Sequence, residues 1–362
     1  MEIPFLSLKS TNQQFEEFYQ LALADFLSSG QYMLGNKVEN FEKNFANFCK
    51  SKHCIGVANG LDALILILDS FGFERNAEVL VPANTYFASI LAIKRASLKP
   101  VLIEPRLDDY LIDANKIEAA ITLNTVAVMA VNLYGRMCDF ENITKLCKKH
   151  SLKLIVDAAQ SHGAEFANAR NCIGADATAY SFYPTKNLGA LSDAGAVVTD
   201  DEHIAASVRK NRNYGSEIKY QFDSIGMNSR LSELQASFLD IKLKHLSFEI
   251  SKRRQIAERY LKEIKNDKLI LPPSDRIDKD AWHLFVIRTD NRSELMNYLK
   301  NAQIGYDIHY PIPPHKQKAM PEFNHLHLPI TEEIHRTVLS LPMNSGLKQE
   351  EVDFIISTLN SY

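Results

Sequence analysis

Two segments of this sequence place a carboxylate and a lysine where they could do chemistry. In LIVDAAQSHGA, residues 154–164, Asp157 ends an apolar run in which an unpaired carboxylate would be costly. Asp157 could cap the next turn, or it could pair with a cation such as a protonated ring nitrogen. Gln160 and His162 follow closely enough to reach the same opening.

The lysine is Lys186, in YSFYPTKNLGALSDAGA at residues 180–196. Ser181 and Lys186 flank a turn that contains a proline, and small residues follow. A lysine in a loop is ordinarily a solvated surface residue. Here apolar runs surround the loop, and the small residues favour close approach of the backbone to something bulky. Asp157 and Lys186 could therefore face the two ends of a flat cofactor.

A third segment, VANGLDAL at residues 57–64, has the pattern of an anion site. Asn59 can cap a helix that begins at Gly60, and the first N–H groups of that helix, on Gly60 and Leu61, suit a phosphate. A plain connection between a strand and a helix is the alternative. A phosphate site, a Schiff-base lysine and a partner for a pyridinium are together what pyridoxal 5'-phosphate (PLP) requires, so we predict PLP as the cofactor.

The elements that must position these residues follow from hydrophobic periodicity. Short apolar runs predict seven strands, at residues 54–57, 78–81, 99–103, 127–131, 153–156, 177–182 and 196–199. Amphipathic helical patterns lie between many of them, and this alternation predicts an α/β fold with a mostly parallel sheet covered on both faces. Such sheets bind ligands at the carboxyl ends of their strands, which is where all three segments fall.

The pattern of apolar runs changes near residue 245. We predict a large PLP-binding α/β domain at residues 1–245 and a small C-terminal α+β domain at residues 246–362. The small domain is predicted to contain a long helix, a strand near residues 283–287, a helix near residues 292–301 and a closing helix.

Composition narrows the classes of function. The formal net charge is -3 with no basic block, which gives no electrostatic reason to expect nucleic acid or an anionic membrane as a partner. The first residues do not form a secretory signal, no apolar run is long enough to span a bilayer, and the five cysteines are odd in number, so we predict a cytoplasmic protein. No metal-binding spacing of His and Cys occurs, so no metal is expected. No G-x-G-x-x-G occurs, which argues against a nicotinamide-dependent oxidoreductase.

The sequence resembles the nucleotide-sugar aminotransferases of the DegT/DnrJ type, a branch of the fold type I PLP enzymes. The motifs that carry the resemblance occur in order along nearly the whole chain: VANGLDAL, PANTYFAS, NLYGR, DAAQSHGA, SFYPTKNLGALSDAGA, NSRLSELQA and HYPIPPH. The resemblance implies a PLP-dependent aminotransferase with a mostly parallel seven-stranded sheet. It also implies that Lys186 forms the Schiff base with PLP and moves protons, while Asp157 keeps the pyridine nitrogen protonated.

The resemblance implies further contacts with the cofactor. Most come from the same chain, and one comes from the partner subunit. Those of one chain are Gly60, Leu61 and Ser181 for the phosphate, Tyr86 for stacking on the ring and Gln160 for the ring hydroxyl. Leu61 stands where many relatives have a hydroxyl residue, so only its N–H is expected to contribute. Asn228 resembles an asparagine that reaches the phosphate from the partner subunit, which implies a homodimer with shared active sites.

The resemblance also implies the substrates. L-glutamate is the usual donor, and IGYDIHYPIPPHKQ at residues 304–317 resembles relatives that aminate carbon 3 of the sugar. The expected acceptor is a dTDP-3-keto-6-deoxyhexose, converted to a dTDP-3-amino-3,6-dideoxyhexose for a lipopolysaccharide, O-antigen or other glycan. Candidate substrate contacts are Tyr183, Tyr214, Lys219, Arg230, His309 and Tyr310. Amination at carbon 4, a UDP-linked 3-keto sugar, or a non-catalytic protein that binds PLP or a sugar are the alternatives.

Overall fold

The structure is a computed structural model that describes residues 2–165 and 174–362. Its strands are β1 (His53–Val57), β2 (Glu78–Pro82), β3 (Lys99–Ile103), β4 (Thr125–Val131), β5 (Lys153–Asp157), β6 (Ala177–Ser181), β7 (Gly195–Thr199), β8 (Phe285–Arg288) and β9 (Val338–Leu341). Its α-helices are α1 (Leu8–Gln13), α2 (Glu16–Ser29), α3 (Asn36–Cys49), α4 (Gly60–Ser70), α5 (Phe87–Arg95), α6 (Ala114–Ile117), α7 (Phe140–Lys149), α8 (Glu202–Asn211), α9 (Glu233–Leu243), α10 (Leu246–Glu263), α11 (Arg292–Asn301), α12 (Pro329–Thr337) and α13 (Gln349–Asn360).

Strands β1 to β7 form one sheet in the order β1-β7-β6-β5-β4-β2-β3. Strands β2 to β6 pair in parallel, whereas β7 runs antiparallel to both of its neighbours, β1 and β6. Strand β1 therefore points in the same direction as β6, and its carboxyl end lies at the same edge of the sheet. The predicted α/β fold with a mostly parallel seven-stranded sheet is confirmed, and each predicted strand is present within two residues of its expected ends.

Alternate residues along the strands enter two hydrophobic clusters, one on each face of the sheet. In β4, Val128 and Ala130 join the cluster that contains Phe45 of α3, while Ala127 and Met129 join the cluster on the other face. All five side chains are fully buried. Burying a phenylalanine such as Phe45 contributes about 1.5–3 kcal/mol to stability. Because both faces are covered, these strands appear in the sequence as continuous apolar runs.

The C-terminal part contains a third cluster around the antiparallel pair β8 and β9. Helix α11 has the predicted bounds, whereas β8 begins two residues later than expected and β9 was not predicted. Helix α10 contributes Leu246 and Ile250 to the first cluster and Ile256 and Tyr260 to the third, so it packs against both parts. The domain division at residues 245 and 246 stays a prediction.

The third cluster also includes the start of the chain. Ile3 is buried there, its N–H donates to Gln303 O at 2.9 Å, and its carbonyl accepts from Gly305 N at 2.7 Å. The N-terminal segment therefore packs with the C-terminal part.

Three further expectations concern thiols, membranes and metals. Cys49, Cys54, Cys138 and Cys147 are buried and form no disulfide with one another, while Cys172 lies outside the described residues. Among the residues that the structure describes, no helix is both long and apolar enough to cross a membrane. The same residues contain no cluster of three or more His, Cys, Asp or Glu side chains suited to a metal ion.

Candidate active site

The carboxyl edge of the sheet collects the three segments that the sequence analysis identified. Asp157 ends β5, Ser181 ends β6, and Asn59 follows β1 by two residues. A cavity of about 360 Å³ opens at this edge. Its lining includes Asn59, Gly60, Leu61, Thr85, Tyr86, Asn132, Asp157, Gln160, Ser181, Tyr183, Lys186 and Asp193.

The phosphate side of the cavity depends on two glycines. Gly195 begins β7 and pairs with both Val57 and Ser181, and a Cβ at Gly195 would lie 2.4 Å from the carbonyl carbon of Asn59. A Cβ at Gly60 would lie 2.7 Å from the Cβ of Ser181. The absence of these two side chains lets the start of α4 approach β6. The first N–H groups of α4 have no acceptor within the helix, so they are available to an anion beside the Ser181 hydroxyl.

The predicted helix cap in this segment is also present. The side chain of Asn59 accepts a hydrogen bond from Asp62 N at 2.8 Å. Because Asn59 satisfies the N–H of Asp62, the N–H groups of Gly60 and Leu61 are the ones left for a ligand.

Asp157 is held in place by two donors. It is 6% exposed, its Oδ2 accepts from the hydroxyl of Ser89 at 2.7 Å, and its Oδ1 accepts from Ala159 N at 3.0 Å. Burial raises the pKa of Asp157, and the two hydrogen bonds and the charge of Lys186 oppose this shift. A nearby cation, such as a protonated ring nitrogen, would favour the ionised form of this buried carboxyl group.

Lys186 lies in a turn that its own backbone closes, since its N–H donates to Tyr183 O at 2.8 Å. Burial lowers the pKa of Lys186 to about 8, against the opposing attraction of Asp157. At pH 7 about one tenth of the side chain is therefore a neutral amine, which is the form that attacks a carbonyl, against well under a thousandth at the ordinary lysine pKa.

Three histidines surround the lysine. Burial lowers the pKa of His162 to about 3 and also lowers the pKa values of His283 and His309, and the charge of Lys186 adds to each shift. All three rings are consequently neutral near pH 7. The rings of Tyr180 and Phe182 lie 5.4 and 5.6 Å from that of His162. His162 is thus a buried neighbour of the site, and it does not line the cavity.

Gln160 connects the cavity with the C-terminal part. Its Oε1 accepts from Tyr134 N at 2.7 Å and its Nε2 donates to Tyr310 OH at 2.9 Å. The rings of Tyr86 and Tyr310 are 5.4 Å apart, and Tyr86 is 56% exposed. Tyr134 also donates its hydroxyl to the carbonyl of His309. These contacts fix Tyr310 and His309 beside the cavity.

Six of the predicted site residues do not line the cavity of their own chain: His309 and Tyr310, which lie beside it, and Tyr214, Lys219, Asn228 and Arg230. Arg230 lies over the ring of Tyr214 at 5.5 Å and donates to Asn213 Oδ1 at 3.1 Å, while Lys219 lies over the ring of Tyr220 at 5.0 Å. Tyr214 and Arg230 are therefore brought together, apart from Lys186.

Two hydroxyl residues of the site were missed from the sequence. Ser89 and Thr85 are buried, and their hydroxyls are 2.8 Å apart, so Thr85, Ser89 and Asp157 form a continuous hydrogen-bonded chain. The motif PANTYFAS contains both residues, but a serine and a threonine near the start of a helix have the ordinary pattern of helix caps.

These features match the chemical demands of PLP. The buried carboxylate of Asp157 suits a pyridinium, the lowered pKa of Lys186 suits a Schiff base, and the glycine-bounded end of the cavity suits a phosphate. The fold and the site together define a fold type I PLP-dependent aminotransferase.

A family model of the DegT/DnrJ/EryC1/StrS aminotransferases matches residues 13–360, and the chain belongs to this family. A dTDP-3-amino-3,6-dideoxy-alpha-D-galactopyranose transaminase of Aneurinibacillus thermoaerophilus is 47% identical, over 99% of each chain. A dTDP-3-amino-3,4,6-trideoxy-alpha-D-glucose transaminase of Streptomyces venezuelae is 39% identical, over 99% of this chain and 96% of the relative.

A solved structure agrees with these sequence comparisons. The crystal structure of S. venezuelae DesV in complex with a ketimine intermediate superposes with a TM-score of 0.96 at 38% identity, over 99% of this chain and 98% of that chain. The resemblance inferred from the motifs is confirmed, and PLP is the cofactor of this enzyme.

Proposed function

We propose that this enzyme transfers the amino group of L-glutamate to carbon 3 of a dTDP-3-keto-6-deoxyhexose and releases a dTDP-3-amino-3,6-dideoxyhexose. The observation that carries the proposal is the attachment of segment 304–317 to the cofactor cavity. The hydrogen bonds Gln160–Tyr310 and Tyr134–His309 make that attachment. This segment resembles relatives that aminate carbon 3, and a 47% identical relative is named for a 3-amino-3,6-dideoxy sugar.

Lys186 and Asp157 have complementary roles in the proposed reaction. PLP, when bound, supplies an aldehyde for the amine and a ring that accepts electrons. Lys186 would hold the cofactor covalently, and its free amine would carry a proton between cofactor and substrate carbons as base and then acid. Its lowered pKa lets it do both near neutral pH. The carboxylate of Asp157, fixed by Ser89, would keep a proton on the ring nitrogen.

The remaining residues bind and orient. The N–H groups of Gly60 and Leu61 with the hydroxyl of Ser181 would hold the phosphate, and Tyr86 would cover the ring. Gln160 keeps one amide hydrogen beyond its bond to Tyr310, and that hydrogen would reach the ring hydroxyl. Tyr183, 50% exposed at the cavity, and His309 would border the sugar.

A homodimer with shared sites completes the proposal. The loop around Tyr214 exposes several large apolar side chains that a single chain leaves uncovered: Ile218, Tyr220, Phe222 and Ile225. Such a patch is typical of an interface. In the dimer, Asn228 of one subunit would reach the phosphate in the other. Tyr214, Lys219 and Arg230 would contact the pyrophosphate of the nucleotide sugar.

The acceptor is tested with purified enzyme, L-glutamate and candidate nucleotide sugars, by mass spectrometry of the product. We expect amination of the dTDP-3-keto sugar. Turnover of only a 4-keto sugar, or of only a UDP-linked 3-keto sugar, would replace the proposed acceptor with that alternative. Borohydride reduction should attach the cofactor to the peptide that contains Lys186, and a label on another peptide would refute the assignment of this lysine.

An experiment with glutamate alone distinguishes an aminotransferase from a non-catalytic protein that only binds PLP or a sugar. Added without any sugar, it should shift the absorbance of the bound cofactor as the amine form accumulates, whereas a non-catalytic protein would show no shift. A cytoplasmic location stays a prediction from the sequence, and a role in lipopolysaccharide, O-antigen or other glycan synthesis stays a prediction that follows from the proposed product.

A further inference from the structure

A second cavity, of about 320 Å³, lies beside the turn that carries Lys186. Thr185, the neighbour of Lys186, lines it together with His283, His309 and Arg253. A smaller cavity of about 30 Å³ is lined by both Lys186 and Arg253 and shares Thr185 with the larger one. Arg253, on α10, therefore lines both the smaller space, which includes Lys186, and the larger space, which includes the neighbouring Thr185.

Arg253 is buried without a carboxylate partner. It is 6% exposed, and no carboxylate of the described residues forms an ion pair with it within 4.0 Å. Its Nη1 donates to the carbonyls of Met343 at 2.7 Å, Trp282 at 3.1 Å and His283 at 3.5 Å. The charge of Glu249 attracts the guanidinium without forming an ion pair with it, and the carbonyl groups solvate its charge only in part, so its burial is costly.

The other nitrogens of Arg253 have donor capacity left. Nη2 and Nε donate to no described residue and are not sealed from the surrounding space, so they face the cavities that the residue lines. Together these two atoms form the side of a guanidinium that binds a carboxylate through two parallel hydrogen bonds.

Other charged groups face the same space. Lys242 and Glu249 line the smaller cavity, and Glu249 accepts hydrogen bonds from Gln14 and Ser345. Asp307 lines the larger cavity, but its side chain is 58% exposed, so solvent screens it. The histidines of the larger cavity are neutral near pH 7 because burial lowers their pKa values. In the larger cavity, Arg253 is thus the one cation among the described lining residues that could attract an anion.

We propose that Arg253 binds the side-chain carboxylate of the dicarboxylic amino donor. This inference rests on the proposed function, in which the donor amine reacts at the cofactor held by Lys186. In an extended glutamate, the amine nitrogen and the side-chain carboxyl carbon are about 5 Å apart, from ordinary bond lengths. The donor would extend from the reactive lysine past Thr185 to the guanidinium. Arg253 then selects glutamate over amino acids that lack a second carboxylate.

The test compares Arg253→Lys with the matched control Arg288→Lys, which alters another buried arginine, paired with Glu333 away from this cavity. In single-turnover reactions of the PLP form, Arg253→Lys should raise the glutamate concentration for half-maximal rate about ten- to hundredfold, the usual effect of losing a charge-assisted bidentate contact. The reaction with L-norvaline, which lacks the second carboxylate, should change less than about twofold. The control Arg288→Lys should leave the reactions with glutamate and with L-norvaline unchanged. Equal losses with both amino acids, or unchanged use of glutamate, would overturn the proposal.

Wild-type protein provides a test that does not depend on the stability of a variant. Glutarate, a dicarboxylate without an amine, should bind the PLP form more tightly than butyrate by calorimetry, and a crystal structure should place a carboxylate on Nη2 and Nε of Arg253. Equal binding of the two acids, or a glutarate bound elsewhere, would overturn the assignment. No sugar is present, so a wrong acceptor leaves these results unaffected. If glutamate fails to convert the cofactor in wild type, the proposed function fails, while glutarate binding still decides the role of Arg253.

Discussion

Removal of the Ser89 hydroxyl gives a sharp test of the electrostatics around Asp157. Ser89→Ala deletes the donor that lies 2.7 Å from Oδ2 and leaves only Ala159 N to hold the carboxylate. Both Ser89 and Asp157 are buried, so water does not replace the lost hydrogen bond without rearrangement. The carboxylate of Asp157 then becomes harder to keep ionised.

The magnitude follows from the type of hydrogen bond. A hydrogen bond to a charged acceptor contributes about 1.5–3 kcal/mol. At 1.36 kcal/mol per pKa unit, its loss raises the pKa of Asp157 by about one to two units. Burial already raises this pKa, so the change extends the existing shift. A protonated Asp157 cannot pair with the ring cation, and we expect the dissociation constant of PLP to rise at least about tenfold.

The dependence on pH has a definite sign. Because the folded pKa of Asp157 lies above its unfolded value, the folded apoenzyme retains a proton that the unfolded chain has lost, and stability falls as pH rises through that window. Ser89→Ala raises the folded pKa of Asp157 further, so the pH range over which stability falls extends to higher pH. The loss of PLP affinity should correspondingly grow as pH is lowered from 8 to 6.

The assay is fluorescence titration of apoenzyme with PLP between pH 6 and 8, together with chemical denaturation of the apoenzyme. Ser237→Ala is the matched control, since it removes another largely buried helix hydroxyl, which donates to Glu233 O at 2.9 Å in α9. A dissociation constant for Ser89→Ala within twofold of wild type at every pH would refute the reasoning.

Four further changes test other parts of the site. The rate at which apoenzyme recombines with PLP should rise with pH through about 8, the lowered pKa of Lys186, and a midpoint near 10.5 would contradict that shift. Asp157→Asn should slow the glutamate half-reaction roughly 10²–10³-fold, as for the loss of one partner of a buried charge pair, and stopped-flow absorbance measures it. Gly195→Ala should lower the melting temperature and the PLP content, because its Cβ would overlap the backbone of Asn59 at a cost of about 1–3 kcal/mol. An equal mixture of inactive Lys186→Ala and Asn228→Ala subunits should recover roughly one quarter of wild-type activity, since each mixed dimer rebuilds one complete shared site. No recovery would exclude sharing.

The sheet was predictable from sequence to the extent that burial determines residue type. Strands covered on both faces consist of apolar runs, so their positions were found within two residues. An apolar run carries no direction, so the sequence did not show that β7 lies antiparallel between β1 and β6. Strand β9 was missed because it follows α12 without a turn and has only four residues, so no change of pattern separates the two elements.

The residues of the candidate site also differ in whether the sequence alone could indicate them. Asp157 and Lys186 were predicted to share a site because a charged residue in apolar surroundings contradicts simple packing, and both line the cavity. Ser89 was missed because its partner lies 68 positions away and a helical serine is unremarkable until the sheet brings β2 and β5 near each other. Arg253 was missed because it shares the buried face of α10 with Ile256 and Tyr260, and only the structure shows that this face meets a cavity.

The burial of Ile3 against residues near position 304 has a consequence for biosynthesis. As the chain leaves the ribosome, the seven-stranded sheet has all of its strands once Thr199 has emerged. The C-terminal cluster must wait for Leu359, the last of its described buried residues, and must then pack around Ile3, which is translated much earlier. Closing so long a loop is slow compared with forming local contacts. All seven strands of the sheet are therefore available to pair before the C-terminal cluster can close around Ile3.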